Sequence, residues 1–269
     1  MKMLKVALTL VVIAATGKGA SAHEFWIDPV AVAVDQGQPI VADLRVGEGY
    51  RGGPQPFLPQ AFRRSEVVTT AGARPFDARL GTIPALQMGG LPDGLAIIVH
   101  ETAGQSLVWS DWAKFASFAA HKDLGDVAAM QAARGLDQLD VAEDYVRFAK
   151  SLVAVGSGAG ADRRMGLRTE FVALTNPFVD PPAAIFAAQL WLGDTPRAQA
   201  QVEVFAKAPD GTVATSLHRT DDRGIVRLPV AAGYRYMLDA VVLEAVMPQV
   251  DGDAEWRTLW ANLTFGVPG

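Results

Sequence analysis

Four histidines and the absence of cysteine limit the metal chemistry open to this chain of 269 residues. Without thiolates, a transition-metal site has to use imidazole, carboxylate, thioether or amine ligands. His23 directly follows Ala20-Ser21-Ala22, a small-residue pattern that is typical of a signal-peptide cleavage site. Cleavage after Ala22 would make His23 the first residue, and its α-amine and imidazole could then chelate one metal ion.

A second histidine would complete a nitrogen-rich site of the kind that suits nickel, cobalt or copper. His100 ends the strand-like segment Ile97–Glu101, and His121 lies near the end of a predicted helix. A plainer interpretation is that His121 interacts with the helix dipole and that the cut before His23 has no chemical meaning. The sequence therefore predicts His23, His100 and His121 as metal ligands, and it predicts no catalytic residue and no organic cofactor.

The first 22 residues have the three parts of a secretory signal. Lys2 and Lys5 precede an apolar run from Val6 to Thr16, which is too short to span a bilayer. We expect residues 1–22 to be removed on export to the periplasm, and no span is expected in the mature form.

Composition argues against several classes of protein. The formal net charge is −5 and no basic cluster is present, which makes nucleic acid a poor candidate partner. No serine–histidine–aspartate order, phosphate-binding loop or zinc-spacing motif stands out. A non-enzymatic role is therefore the expectation.

Short alternating segments separated by turns dominate the chain and predict a mostly β protein with two β-sandwich domains. The first domain is predicted over residues 23–176 and the second over 183–269, with Asn176-Pro177 and Asp180-Pro181-Pro182 between them. The Gly- and Pro-rich stretch Gly47–Pro59 is expected to be a loop.

A helical insert is predicted in the first domain, at about residues 110–153. Its first piece starts at Ser110 as N-cap, and its second runs from about Asp126 to Arg134. A third is predicted to begin at Asp140, because apolar side chains recur at helical spacing: Val141, Tyr145, Phe148 and Leu152.

Several motifs occur in an order that resembles the exported bacterial family known as domain of unknown function 4198. They are His23-Glu24-Phe25-Trp26-Ile27, the segment Glu143–Leu152, Leu167–Phe178, Arg219–Gly224 and Trp260–Phe265. Some relatives are described as periplasmic components of nickel or cobalt uptake. The resemblance thus implies an accessory protein that binds a transition metal and works with an uptake transporter.

The C-terminal half also resembles the transthyretin-like regulatory sandwich found beside carboxypeptidases. The pattern that carries this resemblance is Thr220-Asp221 with Gly224, followed by Ala232-Gly233-Tyr234. Such modules bind or support and do not catalyse. The alternative function is therefore an envelope interaction module that docks an outer-membrane receptor or another envelope partner without a metal.

Overall fold

The computed structural model describes residues 23–179, 185–250 and 252–269. The predicted signal peptide, residues 1–22, lies outside these ranges. The strands are β1 (Glu24–Pro29), β2 (Ala33–Val34), β3 (Ile40–Glu48), β4 (Arg51–Gln55), β5 (Phe62–Thr69), β6 (Gly72–Pro75), β7 (Leu86–Met88), β8 (Gly94–Thr102), β9 (Gln105–Trp109), β10 (Val141–Val155), β11 (Thr169–Ala173), β12 (Ile185–Leu192), β13 (Thr195–Pro196), β14 (Gln201–Lys207), β15 (Val213–Arg219), β16 (Ile225–Pro229), β17 (Arg235–Ala245) and β18 (Trp256–Gly266). The α-helices are α1 (Trp112–His121) and α2 (Val127–Ala133), and Pro59–Ala61 forms a short 3₁₀ turn.

The strands of the described residues form three sheets. Ten strands form the central sheet, whose main path runs β15-β14-β17-β18-β10-β8-β5-β6, with β2 and β9 also paired to β10. The front sheet contains β1, β3, β4 and β7, and the back sheet contains β11, β12, β13 and β16. The prediction of a mostly β fold made of sandwiched sheets is confirmed.

The central sheet buries apolar side chains on both of its faces. Ile98 and Ala149 pack with Ile27 of the front sheet, whereas their chain neighbours Ile97 and Phe148 pack with the back sheet. Successive side chains of a strand point to opposite faces, so one strand can contribute side chains to two hydrophobic cores. A strand that is buried on both sides carries few of the alternating polar residues that would mark it in the sequence.

The third predicted helix is wrong, because residues 141–155 form β10 in the middle of the central sheet. The residues with helical spacing serve two faces: Val141 packs beneath the helices, while Phe148 and Leu152 join the core against the back sheet. The charged residues Glu143 and Lys150 of this strand are also buried.

The other two helical pieces are confirmed, and each begins one residue after an aspartate. The side chain of Asp111, rather than Ser110, accepts a hydrogen bond from the backbone N–H of Ala113 at 2.9 Å and caps α1. Asp126 caps α2 in the same way. Both helices lie over the central sheet, where Phe115 contacts Trp256.

The stretch predicted as a loop, residues 47–59, contains the strand β4. Its Gly and Pro residues fit because β4 pairs only with β3 and ends the path of the front sheet, where Pro54 lies opposite Arg45.

The division into two domains at residues 177–182 stays a prediction. Strands from both sides of it share the central sheet, since β10 pairs in parallel with β18. Strands from both sides also share the back sheet, where β11 pairs with β12.

Candidate functional site

A cleft of about 1140 Å³ lies between helix α1, the turn that joins β3 to β4, and strands β14 and β15. Glu48, Arg51 and Lys114 line it with charge of both signs. Aromatic side chains contribute an apolar part of the wall, and they are Trp109, Phe118 and Phe205. A cleft with apolar walls and a few charged groups is the usual form of a binding site.

Lys122 lies at the inner end of this cleft and contacts three carboxylates. Its Nζ donates to Glu203 Oε2 at 2.7 Å, Asp239 Oδ2 at 3.0 Å and Glu24 Oε1 at 3.2 Å. The Lys122 side chain is only 4% exposed, and the carboxylates are similarly buried. We call these four residues the lysine cluster.

Separate elements bring the lysine cluster together. Helix α1 ends at His121, so Lys122 stands at its C-cap and reaches down onto the central sheet. Glu203 on β14 and Asp239 on β17 lie directly opposite each other across the ladder. Glu24 is the first residue of β1 in the front sheet. The cluster therefore joins the helical insert, the front sheet and the central sheet at one point.

The protonation of the lysine cluster is set by burial and by the mutual charges of its members. Burial raises the pKa of Glu24 to about 7, an effect that the charge of Lys122 only partly opposes. Burial also raises the pKa of Asp239. Burial alone would lower the pKa of Lys122, but the charges of Asp239, Glu24 and Glu203 outweigh it and the pKa of Lys122 is raised.

Three carboxylate oxygens of the lysine cluster lie within 4.8 Å of one another, a spacing that could hold a metal ion. In residues 23–179, 185–250 and 252–269 this is the one group of three or more candidate ligands at that spacing. The ammonium of Lys122 already donates a hydrogen bond to one oxygen of each carboxylate. The cluster is therefore a poor fit for a metal, which would have to displace a buried and well-paired lysine.

His100 is buried in the core. Its ring stacks on Phe25 with the ring centroids 5.2 Å apart, and its Nδ1 lies 3.2 Å from Ser65 Oγ. Burial lowers the pKa of His100 to about 3. The side chain is thus a neutral core histidine with one hydrogen-bond partner.

His121 is half exposed at the cleft, and its Nε2 lies 3.3 Å from Glu203 Oε1. His23 is held through its carbonyl oxygen, which accepts a hydrogen bond from Arg147 Nη2 at 3.0 Å. The Nδ1 atom of His23 is buried and finds no hydrogen-bond partner among the described residues. The structure does not gather the three predicted ligands, His23, His100 and His121, into one group. Metal binding by them stays a prediction.

Sequence reasoning missed the lysine cluster. Glu203 and Asp239 were available as a signal, because each interrupts an otherwise apolar predicted strand. A carboxylate on the buried face of a strand requires a partner. Nothing in the sequence indicated that this partner would be Lys122, which lies 81 positions from Glu203 and 117 from Asp239.

Comparison with protein families gives a clear result. A family model described as a domain of unknown function, DUF4198, matches residues 20–244. The chain belongs to the DUF4198 family. The match includes β1 and helix α1, and with them every member of the lysine cluster. Cleft and cluster therefore lie within the family domain.

No curated protein matches this DUF4198 chain. Among solved structures, a tetra-tandem repeat in the extending region of a large adhesion protein is 12% identical with a TM-score of 0.21. The match covers 91% of this chain but only 49% of that one. The D0-D1 domain of intimin is 10% identical with a TM-score of 0.22, covering 89% of this chain and 97% of the other. These scores are too low to carry an argument about fold or function.

In the described part of this DUF4198 protein, no helix is long and apolar enough to cross a membrane. The transthyretin-like character of the C-terminal half and the link to nickel or cobalt uptake stay predictions.

Proposed function

We propose that this protein is exported to the periplasm and acts there as a non-catalytic binding module, with the cleft beside helix α1 as its docking site. Its partner is an envelope protein, such as an outer-membrane receptor or a component of a metal-uptake transporter. This proposal favours the interaction module over the metal carrier as the primary role.

The observation that carries the proposal is the lysine cluster at the inner end of the cleft. Lys122 donates to all three carboxylates, so a metal ion would have to displace a buried lysine to bind them. The cluster instead fixes the end of α1 against two sheets. A cleft with aromatic side chains and charges of both signs is suited to recognising a protein surface.

Site-specific photocrosslinking in cells tests this proposal. A photoreactive residue at Ser117, exposed on α1 and lining the cleft, should give an adduct with an envelope protein. The matched control carries the same residue at Ala132, exposed on α2 outside the cleft lining. An adduct formed at Ser117 and absent at Ala132 supports the proposal, and equal yields or no adduct at either site contradict it.

A second candidate function is the binding of nickel, cobalt or copper at the new N-terminus, and the buried Nδ1 of His23 favours it. Among the described residues this nitrogen has no hydrogen-bond partner, and a bound metal ion would give it one. In a chain cut after Ala22, that nitrogen and the α-amine belong to one residue and could bind a metal together.

Calorimetric titration with each metal separates this candidate from the first. The mature chain starting at His23 should bind more tightly than a chain extended by one residue before His23, since the extension removes the α-amine. His23→Ala should also lose binding, whereas His100→Asn should keep it because His100 is buried in the core. Equal affinity of the mature and extended chains would eliminate the α-amine as a ligand.

A further inference from the structure

A second buried lysine, Lys150, lies on β10 outside the cleft lining and faces the back sheet, where it contacts Phe171. The Nζ of Lys150, on β10, lies 2.8 Å from Oδ1 and 2.9 Å from Oδ2 of Asp162. Asp162 belongs to the segment that joins β10 to β11. The two side chains are 1% and 0% exposed, so this pair is excluded from water.

Backbone groups hold both partners in position. Nζ of Lys150 also donates to the carbonyl oxygens of Phe171 at 2.9 Å and Arg163 at 3.1 Å. The carboxyl group of Asp162 accepts from the N–H of Arg163 at 2.7 Å and from that of Ala173 at 2.8 Å. Neither side chain can turn away from the other without breaking several of these contacts.

A third buried group completes the arrangement. Oε2 of Glu170, on β11, lies 3.8 Å from Nζ of Lys150, and the Glu170 side chain is 0% exposed. Glu170 is itself fixed by Arg164 Nε at 2.9 Å and by the N–H of Met165. The buried site thus brings together an amine that can act as a nucleophile (Lys150), a carboxyl carbon that it can attack (Asp162) and a carboxylate that can carry a proton (Glu170).

From this geometry we propose that Lys150 and Asp162 condense to form an intramolecular amide bond, which cross-links β10 to the segment before β11.

The step balances without an oxidant, a reductant or a second reactant. Lys150 transfers a proton to the carboxyl group of Asp162, and the free amine attacks its Cγ. The nitrogen then gives up a second proton, which Glu170 accepts and delivers to the leaving oxygen. One C–N bond forms, one C–O bond breaks, and one water molecule leaves with the Asp162 oxygen and two of the three ammonium protons.

Three features of the site favour this reaction. The amine and carboxyl group are already at the separation of a near-attack geometry, which replaces an unfavourable encounter in water by a step within one molecule. The N–H groups of Arg163 and Ala173 point at the carboxyl oxygens, where negative charge develops in the transition state. The amide also removes two charges from a place where an ion pair is costly to bury.

The raised pKa of Asp162 also favours formation of the amide. Burial raises the pKa of this carboxyl group, although the charge of Lys150 opposes the effect. A protonated carboxyl group is the form that an amine can attack, and burial favours that form of Asp162.

Mass spectrometry of the purified full-length mature protein under denaturing conditions tests the proposal directly. The intact mass should fall short of the sequence mass by one water molecule. After trypsin digestion, cleavage at Lys150 should be blocked, which leaves the peptide 148–163 intact and also one water lighter. Fragment ions should be missing between positions 150 and 162, because that part of the peptide is a ring.

Two variants serve as controls. Lys150→Arg keeps the positive charge but removes the primary amine, so its mass should equal its sequence mass. Lys114→Arg, on the exposed side of α1, should keep the deficit of one water. Normal cleavage after Lys150 in the wild-type protein, or a deficit that survives in Lys150→Arg, would overturn the proposal, the second by indicating dehydration elsewhere.

Discussion

At the scale of single residues, Lys122 matters most because its ammonium contacts three buried carboxylates. We expect Lys122→Met to lower the free energy of unfolding by about 3–5 kcal/mol, since removing one partner leaves uncompensated buried charge. Chemical denaturation measures this loss. Lys114→Met, at an exposed lysine within α1, is the matched control and should change stability by less than about 0.5 kcal/mol. Similar losses in both variants would show that Lys122 does not hold the cluster together.

His100 should make the stability of the protein depend on pH. Burial lowers its pKa from 6.5 to about 3, so between these values the unfolded chain binds a proton that the folded chain does not. Stability should therefore fall as the pH is lowered from 6.5 towards 3, by at most about 1.4 kcal/mol per pH unit from this residue. Unfolding free energies of the wild type and of His100→Asn, measured across this range, should diverge in slope. Parallel curves would contradict a neutral buried imidazole.

At this scale the sequence identified candidate residues better than it identified their partners. His100 was recognised as the end of a strand, but whether it faced a metal or a phenyl ring depended on where Phe25 lies. His121 was placed at the end of a helix, and the carboxylate that meets it comes from β14. Such contacts depend on tertiary packing, which neither spacing nor composition specifies.

At the scale of elements, the hairpin of β3 and β4 requires glycine at position 52 but not at the adjacent position 53. A Cβ at Gly52 would lie 2.2 Å from the carbonyl oxygen of Val46 and 2.8 Å from the Trp26 ring, whereas a Cβ at Gly53 would meet nothing within 4 Å. We expect Gly52→Ala to cost about 1–3 kcal/mol and Gly53→Ala to be close to neutral. Thermal unfolding measures the difference, and equal melting temperatures would contradict it.

Elements that are set by local sequence signals could be predicted, whereas elements that are set by tertiary packing could not. Helices α1 and α2 were found because aspartate caps and helical spacing act within one segment. The strand β10 was missed because its central position buries both faces. Lys150 is a charged residue that the structure buries, and its partners Asp162, Arg163 and Phe171 all lie outside β10.

At the scale of the whole molecule, the continuity of the sheets bears on the predicted domains. We expect the fragments 23–176 and 183–269, expressed separately, not to fold. Each lacks strands that the other supplies: β10 would lose β18 and β11 would lose β12. Amide dispersion in NMR spectra of each fragment is the measurement. A cooperative unfolding transition in either isolated fragment would instead establish the boundary as one between independent domains.

The position of β18 also determines when the central sheet can be completed during synthesis of the chain. This strand lies between β17 and β10 in the central sheet, yet its residues, 256–266, are synthesised after every other strand that the structure describes. A chain that emerges N-terminus first can form hairpins early, but its two groups of central strands have no common neighbour until β18 emerges. A nascent chain interrupted before residue 256 would therefore be left with two unjoined edges in the central sheet.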